Sequence, residues 1–140
     1  MLSAMAQITL AQAQDLLDQT PFVRWWGLTA LEVGEGWATV GLGARPEFLR
    51  PGQVLHGACY EVIADTAMWL AIMTRVGVEA MAVTVEMKTS FLRGAATDLV
   101  SRAEVLRLGR RIVFGEARTT AEDGSLVAHS TLSYVRPAPG

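Results

Sequence analysis

Two acidic side chains interrupt the longest apolar stretch of the chain, which runs from Ala58 to Met73. Glu61 and Asp65 lie four residues apart, so they share one face if this stretch is helical. Burial and a like-charged neighbour both raise a carboxyl pKa toward values that suit a general base. The alternative is a structural role, in which Arg, Thr or Ser side chains satisfy the carboxylates. The structural role is favoured for Glu61, one turn into the stretch, whereas for Asp65 the two interpretations are balanced.

His56 and Gly57 come directly before this stretch. The free N–H groups at a helix start carry partial positive charge and can hold an oxyanion or a polarised carbonyl. Gly57 has no side chain that would keep a ligand away from that backbone. By itself, His56 is more typical of a loop or capping residue than of a catalyst. A donor-rich helix start followed two turns later by an acid indicates acyl chemistry, in which one group polarises a carbonyl and the other activates water.

The periodicity of the chain predicts the elements that must position these residues. A capping box formed by Thr9 and Gln12 predicts a short amphipathic helix that ends before Pro21. The other predicted elements are strands Leu28–Val33 and Trp37–Leu42, a loop Gly43–Leu55, a long helix Gly57–Arg75, and strands Met81–Leu92, Leu99–Leu106, Ile112–Thr120 and Leu126–Val135. This order predicts an α+β fold in one domain, residues 1–140, with a curved antiparallel sheet covering one side of a mostly apolar helix.

The composition limits the class of protein. The 140 residues are 51% hydrophobic and 19% charged, which excludes a disordered chain and suits one domain with a real core. A formal net charge of −2 gives no broad electrostatic hold on nucleic acid. So small a share of charged residues also favours an oligomer, in which part of the surface is hidden.

Nothing in the chain predicts secretion or insertion into a membrane. A signal peptide requires a Lys or Arg before its apolar region, and none precedes the short apolar stretch near the start. In a membrane-spanning helix, Glu61 and Asp65 would each cost about 2.5–3.5 kcal/mol at the bilayer centre. The single cysteine, Cys59, cannot form an internal disulfide. We therefore expect a cytoplasmic protein without a membrane segment.

The residues around the acids resemble those of a known family. Leu55–Ala58 followed by Ile63–Ala67 resembles the His-Gly-Gly…Leu-x-Asp-x-Ala signature of hot-dog-fold acyl-CoA thioesterases of the PaaI type. The resemblance covers roughly Phe22 to Tyr134 and includes the segments Ala82–Val85, Ser90–Arg93, Leu108–Arg111 and Glu122–Ala128. It implies the hot-dog fold, a curved sheet wrapped around one long helix, and hydrolysis of an acyl-CoA thioester to free acid and CoA.

The resemblance also implies roles for individual residues. Asp65 matches the catalytic carboxylate, acting as general base on water or as nucleophile, and Gly57 matches the glycine whose N–H polarises the thioester carbonyl. His56 matches a histidine that orients or hydrogen-bonds the carbonyl, and Thr84 matches a hydroxyl residue that helps to hold the water. In this family two subunits join their sheets, so that Asp65 faces Gly57 of the partner subunit. We expect a homo-oligomer, either a dimer or a dimer of dimers.

Three residues depart from the family pattern. Ala58 replaces the second glycine, a small change that leaves the Gly57 N–H available. Arg50 stands where the family often has Asn, and its charge could stabilise an oxyanion or pair with an acid. Glu61 is an additional acid that could pair with Arg50 or line the acyl pocket. All three are candidate substrate-binding residues.

Arginines and aromatic residues supply further candidates for contacts with the substrate. Three arginines at one turn form either a clamp for the phosphates of coenzyme A or a solvated turn: Arg107, Arg110 and Arg111. Three aromatic residues either cover an acyl tunnel or simply pack: Phe22, Trp25 and Trp26. Two further reactive residues are interpreted as structural: Cys59 and His129. The sequence shows no metal cluster or phosphate loop, so it predicts no cofactor.

Two other functions stay open for the same residues. One is hydration or dehydration of an enoyl thioester, which also needs a histidine and an acid. The other is a non-catalytic module that binds or senses acyl-CoA, suggested by Arg50 in place of Asn. Release of free thiol distinguishes hydrolysis from both.

Overall fold

A computed structural model describes residues 5–139 of the chain. The helices are α1 (Leu10–Gln19), α2 (Pro21–Trp26) and α3 (Ala58–Val76). The strands are β1 (Thr29–Gly34), β2 (Trp37–Leu42), β3 (Leu49–Arg50), β4 (Val54–Leu55), β5 (Val83–Phe91), β6 (Leu99–Leu108), β7 (Ile112–Ala121) and β8 (Leu126–Val135). The predicted order of one helix, two strands, a long helix and four strands is therefore present, with additional short elements.

The two N-terminal helices begin at recognisable start signals. Thr9 Oγ1 accepts a hydrogen bond from Gln12 N at 3.1 Å, and Gln12 Oε1 accepts one from Thr9 N at 2.9 Å, so the predicted capping box is confirmed. The sequence predicts no helix at α2, because Pro21 was expected only to end α1. A proline fits the first turn of a helix, where its missing N–H would have no partner in any case, and Pro21 opens α2 in this way.

The six longer strands form one antiparallel sheet in the order β1-β2-β6-β7-β8-β5. Most predicted boundaries agree within two residues, and β8 has the predicted bounds. The segment predicted as a plain loop, Gly43–Leu55, also contains a 3₁₀ turn at Pro46–Phe48 and the small hairpin of β3 and β4. Among the described strands, β5 pairs only with β8, so its other edge is free.

The long helix α3 packs over β2, β6 and β7. Its fully buried side faces the sheet through residues such as Ile63, Leu70 and Met73. Gly115 of β7 allows this close approach, because a Cβ at that position would overlap Met68 Cε and Glu104 O. Within residues 5–139, no helix is both long and apolar enough to cross a membrane.

Candidate active site

The Asp65 carboxylate is held by hydroxyl groups from two neighbouring strands. Thr84 Oγ1 of β5 donates to Asp65 Oδ1 at 2.7 Å, and Tyr134 Oη of β8 donates to the same oxygen at 2.6 Å. Thr84 and Tyr134 are direct partners in the β5–β8 ladder, so their side chains leave the sheet on one face. Asp65 is half-buried, and its Oδ2 has no hydrogen-bond partner among residues 5–139. One carboxylate oxygen is therefore fixed and the other is free.

Tyr134 is the member of this group that the sequence prediction missed. Its side chain is 3% exposed, and its Oη lies 2.8 Å from the main-chain oxygen of Asp65. Burial, and then the nearby Asp65 carboxylate, raise the pKa of Tyr134 above its usual value of 10.0, so the phenol stays protonated and acts as a donor. A signal was present in the sequence, because Ser130, Leu132 and Tyr134 alternate toward the core and a phenol that faces a core needs a partner.

An apolar cavity of about 280 Å³ opens beside the carboxylate. Asp65, Thr84 and Tyr134 line it together with two further threonines, Thr20 and Thr66. The apolar part of its lining comes from Phe22, Val23, Val62, Trp69, Ala82 and Val83. A second groove shares Asp65 with this cavity and is also lined by Phe22, Trp26, Ala58, Glu61, Val62 and Met87. Glu61 is exposed in that groove. Within one chain Glu61 and Arg50 do not form the suggested ion pair, since the ion pairs of the described residues involve neither side chain.

The start of α3 offers one free backbone donor. His56 Nδ1 accepts a hydrogen bond from Ala58 N at 3.0 Å, and the main-chain oxygen of His56 accepts one from Cys59 N at 2.9 Å. The N–H of Gly57 has no acceptor in the part of the chain that the structure describes. Because Nδ1 of His56 is an acceptor, the neutral ring carries its proton on Nε2.

A separate groove of about 410 Å³ contains Gly57. A Cβ at Gly57 would lie 3.0 Å from Cε1 of Phe91, so only glycine leaves this space open without moving the ring. Arg50 and Arg93 also line the groove, and Tyr60 Oη donates to Arg93 O at 3.0 Å. The free N–H therefore lies in a groove that two arginine residues also line.

Some aromatic residues of α2 line the cavities near Asp65, and some pack against other parts of the protein. Phe22 lines the cavity beside Asp65, and Trp26 lines the second groove. Trp26 also stacks on Phe48 with ring centroids 4.8 Å apart, and Phe48 O accepts a hydrogen bond from His56 N at 2.8 Å. Trp25 is 63% exposed and lies against Arg45. Packing of α2 therefore also positions the loop that leads into Gly57.

The predicted site residues form two groups that do not meet within one chain. Asp65 lies with Thr84, and its second groove also contains Ala58 and Glu61. Gly57 lies with His56 and Arg50 at the start of α3. Gly57 and Asp65 are eight residues apart along α3, which corresponds to about 12 Å at the helical rise of 1.5 Å per residue. A single carbonyl group cannot contact both.

The three turn arginines lie away from Gly57. Arg111 Nε donates to Arg136 O at 2.9 Å, and Arg136 pairs with Glu79, just beyond the C-terminal end of α3. Gly57 lies at the opposite end of that helix. Arg107 and Arg110 are exposed at the same turn. The structure thus brings Arg50, and not the turn cluster, beside the helix start.

Two further side chains behave as core or surface residues. Cys59 is 1% exposed, and burial raises the pKa of its thiol, which leaves it protonated and unreactive. His129 Nε2 lies 3.3 Å from Glu116 Oε2 on neighbouring strands. Within residues 5–139, no three His, Cys, Asp or Glu side chains converge as a metal site would require.

Comparison with known proteins identifies the class of protein. The sequence model described as the thioesterase superfamily matches residues 52–128. The conserved protein PA5202 from Pseudomonas aeruginosa is 28% identical and superposes with a TM-score of 0.82, covering 89% of this chain and 99% of that one. A mutant of the phenylacetic acid degradation protein PaaI from Thermus thermophilus is also 28% identical, with a TM-score of 0.75 and coverage of 84% and 99%. The Thermoplasma acidophilum protein Ta0293, whose name proposes an esterase, is 25% identical over 103 residues, or 73% and 77% of the two chains.

The chain belongs to the thioesterase superfamily, because that match covers more than half of its length. The predicted hot-dog fold and the predicted likeness to the PaaI type are confirmed. Hydrolysis of an acyl thioester is the class of reaction that this family and fold support.

Proposed function

We propose that the protein hydrolyses acyl-CoA thioesters, with Asp65 of one copy and the Gly57 N–H of a second copy acting on one carbonyl. The observation that carries the proposal is the Asp65 carboxylate, which has one oxygen fixed and one free beside an apolar cavity that suits an acyl group. The protein would act as one catalytic domain, residues 1–140, in the cytoplasm and without a bound cofactor.

In the proposed step, the free oxygen of Asp65 takes a proton from water while the water oxygen attacks the thioester carbon. The carbonyl electrons move to oxygen, where the Gly57 N–H and the positive end of the α3 dipole stabilise the charge. When the carbonyl re-forms, the C–S bond breaks and CoA leaves as a thiolate, which takes the proton from Asp65. The products are a carboxylic acid and free CoA.

Two neighbouring residues have supporting roles in this step. Thr84 Oγ1 donates a hydrogen bond to Asp65, so its lone pairs are available to accept a hydrogen bond from the water. His56 accepts the Ala58 N–H through Nδ1, which removes that donor from competition and leaves Nε2–H for a hydrogen bond to the substrate. The roles given to Thr84 and His56 are part of the proposal.

The separation of Gly57 and Asp65 along α3 supports a site made by two copies. The free edge of β5 offers a surface for the second copy, since Val83, Val85 and Phe91 are each more than half exposed there. Thr84, beside Asp65, lies three residues before Met87, the middle residue of β5, and Phe91, beside Gly57, lies four residues after it. Antiparallel pairing of two β5 strands about that middle would bring Asp65 of each copy toward Gly57 of the partner subunit. Pairing of two such dimers would give the dimer of dimers, the larger of the two oligomers that the sequence predicts.

Binding of coenzyme A is assigned to two sets of arginines in this proposal. Arg50 lies in the Gly57 groove and is suited to the phosphates of a thioester bound there. Arg107, Arg110 and Arg111 remain a predicted second contact, although they lie near the other end of α3 in their own chain. Glu61 and Ala58 would contact the acyl group in the second groove.

Free-thiol release from a panel of acyl-CoA esters tests the proposal. We expect turnover with at least one ester, and loss of that turnover in Asp65→Asn. Enoyl-CoA hydration without thiol release would instead establish a hydratase on this fold. Tight binding of CoA esters with no turnover of any ester would establish a binding module.

A further inference from the structure

Tyr134 is a polar residue of the candidate site that is held by hydrogen bonds and to which the sequence motifs gave no role. Its phenol is buried at the end of β8 and lies within hydrogen-bond distance of two atoms of one residue, Oδ1 and the main-chain oxygen of Asp65. Thr84 donates to that same Oδ1 from the adjacent strand. Hydroxyl groups from two strands therefore bind the same carboxylate oxygen of a residue on α3.

We propose that Tyr134 is a positioning residue for the hydrolysis, and that together with Thr84 it makes Oδ2 of Asp65 the oxygen that takes the proton. This inference rests on the proposed function. Two donors on Oδ1 use its lone pairs and hold the carboxylate in one rotamer, so that Oδ2 points away from both hydroxyls. Hydrogen bonds to a charged acceptor are stronger than neutral ones, so they favour the ionised base.

The second acceptor of Tyr134 matters when the charge of Asp65 changes. While the carboxylate is ionised, the charge-assisted bond to Oδ1 is the stronger of the two. After Oδ2 takes the proton from water, that advantage is lost, and the phenol can donate to the main-chain oxygen of Asp65, 2.8 Å away. Tyr134 thus keeps a hydrogen bond in both states without a rotamer change.

Few other titratable groups face this carboxylate. In the two cavities that contain Asp65, the only other titratable side chains among the described residues are Tyr134 of β8 and Glu61 of α3. The lining contributed by α2 and β5 consists of groups such as Phe22, Trp26 and Thr84, which carry no charge. Tyr134 remains protonated over the working pH range, because burial raises its pKa. In the proposed dimer, His56 and Arg50 of the partner subunit would also come near this carboxylate, since both lie with Gly57.

The test is Tyr134→Phe, which removes one oxygen and keeps the ring. We expect kcat to fall about 10- to 100-fold with little change in KM, the scale of a lost hydrogen bond to a charged group. The acid limb of the kcat profile should move to higher pH, since a carboxylate with fewer donors is protonated more easily. Thr84→Val should move the same limb in the same direction. Tyr134→Phe/Glu61→Gln should keep the shift, which assigns it to Asp65.

Thr119→Val is the matched control for loss of a buried hydroxyl, because Thr119 donates to Ser101 inside the sheet. It should lower the melting temperature and leave the pH profile unchanged. A folded Tyr134→Phe enzyme with an unmoved acid limb would overturn the inference. A carbon-13 NMR titration of the Asp65 carboxyl gives a readout without turnover: an unchanged midpoint in Tyr134→Phe also overturns it. By contrast, failure of the proposed function appears as full activity in Asp65→Asn or as no thiol release by the wild-type protein.

Discussion

The two halves of the candidate site are built in different ways. Around Asp65, side chains from α3, β5 and β8 fix a carboxylate beside a mainly apolar cavity. Around Gly57, the functional group is a backbone N–H at a helix start, in an open groove that two arginines also line. The first half can move a proton, and the second can stabilise a negative oxygen.

This difference explains why the proposed mechanism needs a second copy of the chain. A base must reach water and an oxyanion donor must reach the carbonyl oxygen, and both must act within about 3 Å of the reacting group. The helical rise places Gly57 and Asp65 about 12 Å apart in one chain. Each chain contains both halves but holds them apart, so the proposed mechanism requires that the two halves of one site come from different subunits.

The largest effect is expected from the Asp65 half. Asp65→Asn keeps the size of the side chain and removes the base, so kcat should fall about 10²- to 10⁴-fold in an assay of thiol release. Asp18→Asn is the control, because Asp18 is an exposed residue of α1 whose side chain, within residues 5–139, bonds only to Gln14. Full activity in Asp65→Asn would show that the carboxylate plays no part in the reaction.

The Gly57 half gives the next effect, and two variants isolate the N–H. Gly57 has φ of −56°, which proline can adopt, so Gly57→Pro removes the donor without a forced change of φ. We expect kcat to fall about 10²- to 10³-fold, as when an oxyanion donor is lost. Gly57→Ala keeps the N–H and adds only the contact with Phe91. Equal losses in the two variants would mean that space, and not the donor, matters at this position.

Much of this architecture could be predicted from the sequence, for identifiable reasons. The apolar run with Glu61 and Asp65 indicates the central helix. The alternation of apolar and polar residues after it, with a period of two, indicates the strands. α2 was missed because Pro21 was treated as a helix end, although proline also opens helices. Tyr134 was missed because a tyrosine in a strand has many uses, and only the register of β5 against β8 shows that it meets Asp65.

The smallest effect is expected from the arginines, and it shows which end of α3 binds coenzyme A. Arg50→Ala should raise KM for acyl-CoA about 3- to 10-fold, because Arg50 lies in the Gly57 groove and its removal costs a phosphate contact. Arg110→Ala gives the comparison from the exposed turn, and we expect a smaller rise. Steady-state kinetics at low salt measure both. A larger effect at Arg110 than at Arg50 would place coenzyme A across the turn and not along the groove.

The most direct test of a site shared between copies is complementation of two inactive variants. Asp65→Asn and Gly57→Pro are unfolded together in equal amounts, refolded, and assayed for thiol release. Each mixed dimer has one site with an intact Asp65 from one chain and an intact Gly57 from the other, so random pairing should restore about a quarter of wild-type activity. If both residues acted within one chain, every site would carry a defect, and the mixture would stay as inactive as the separate variants.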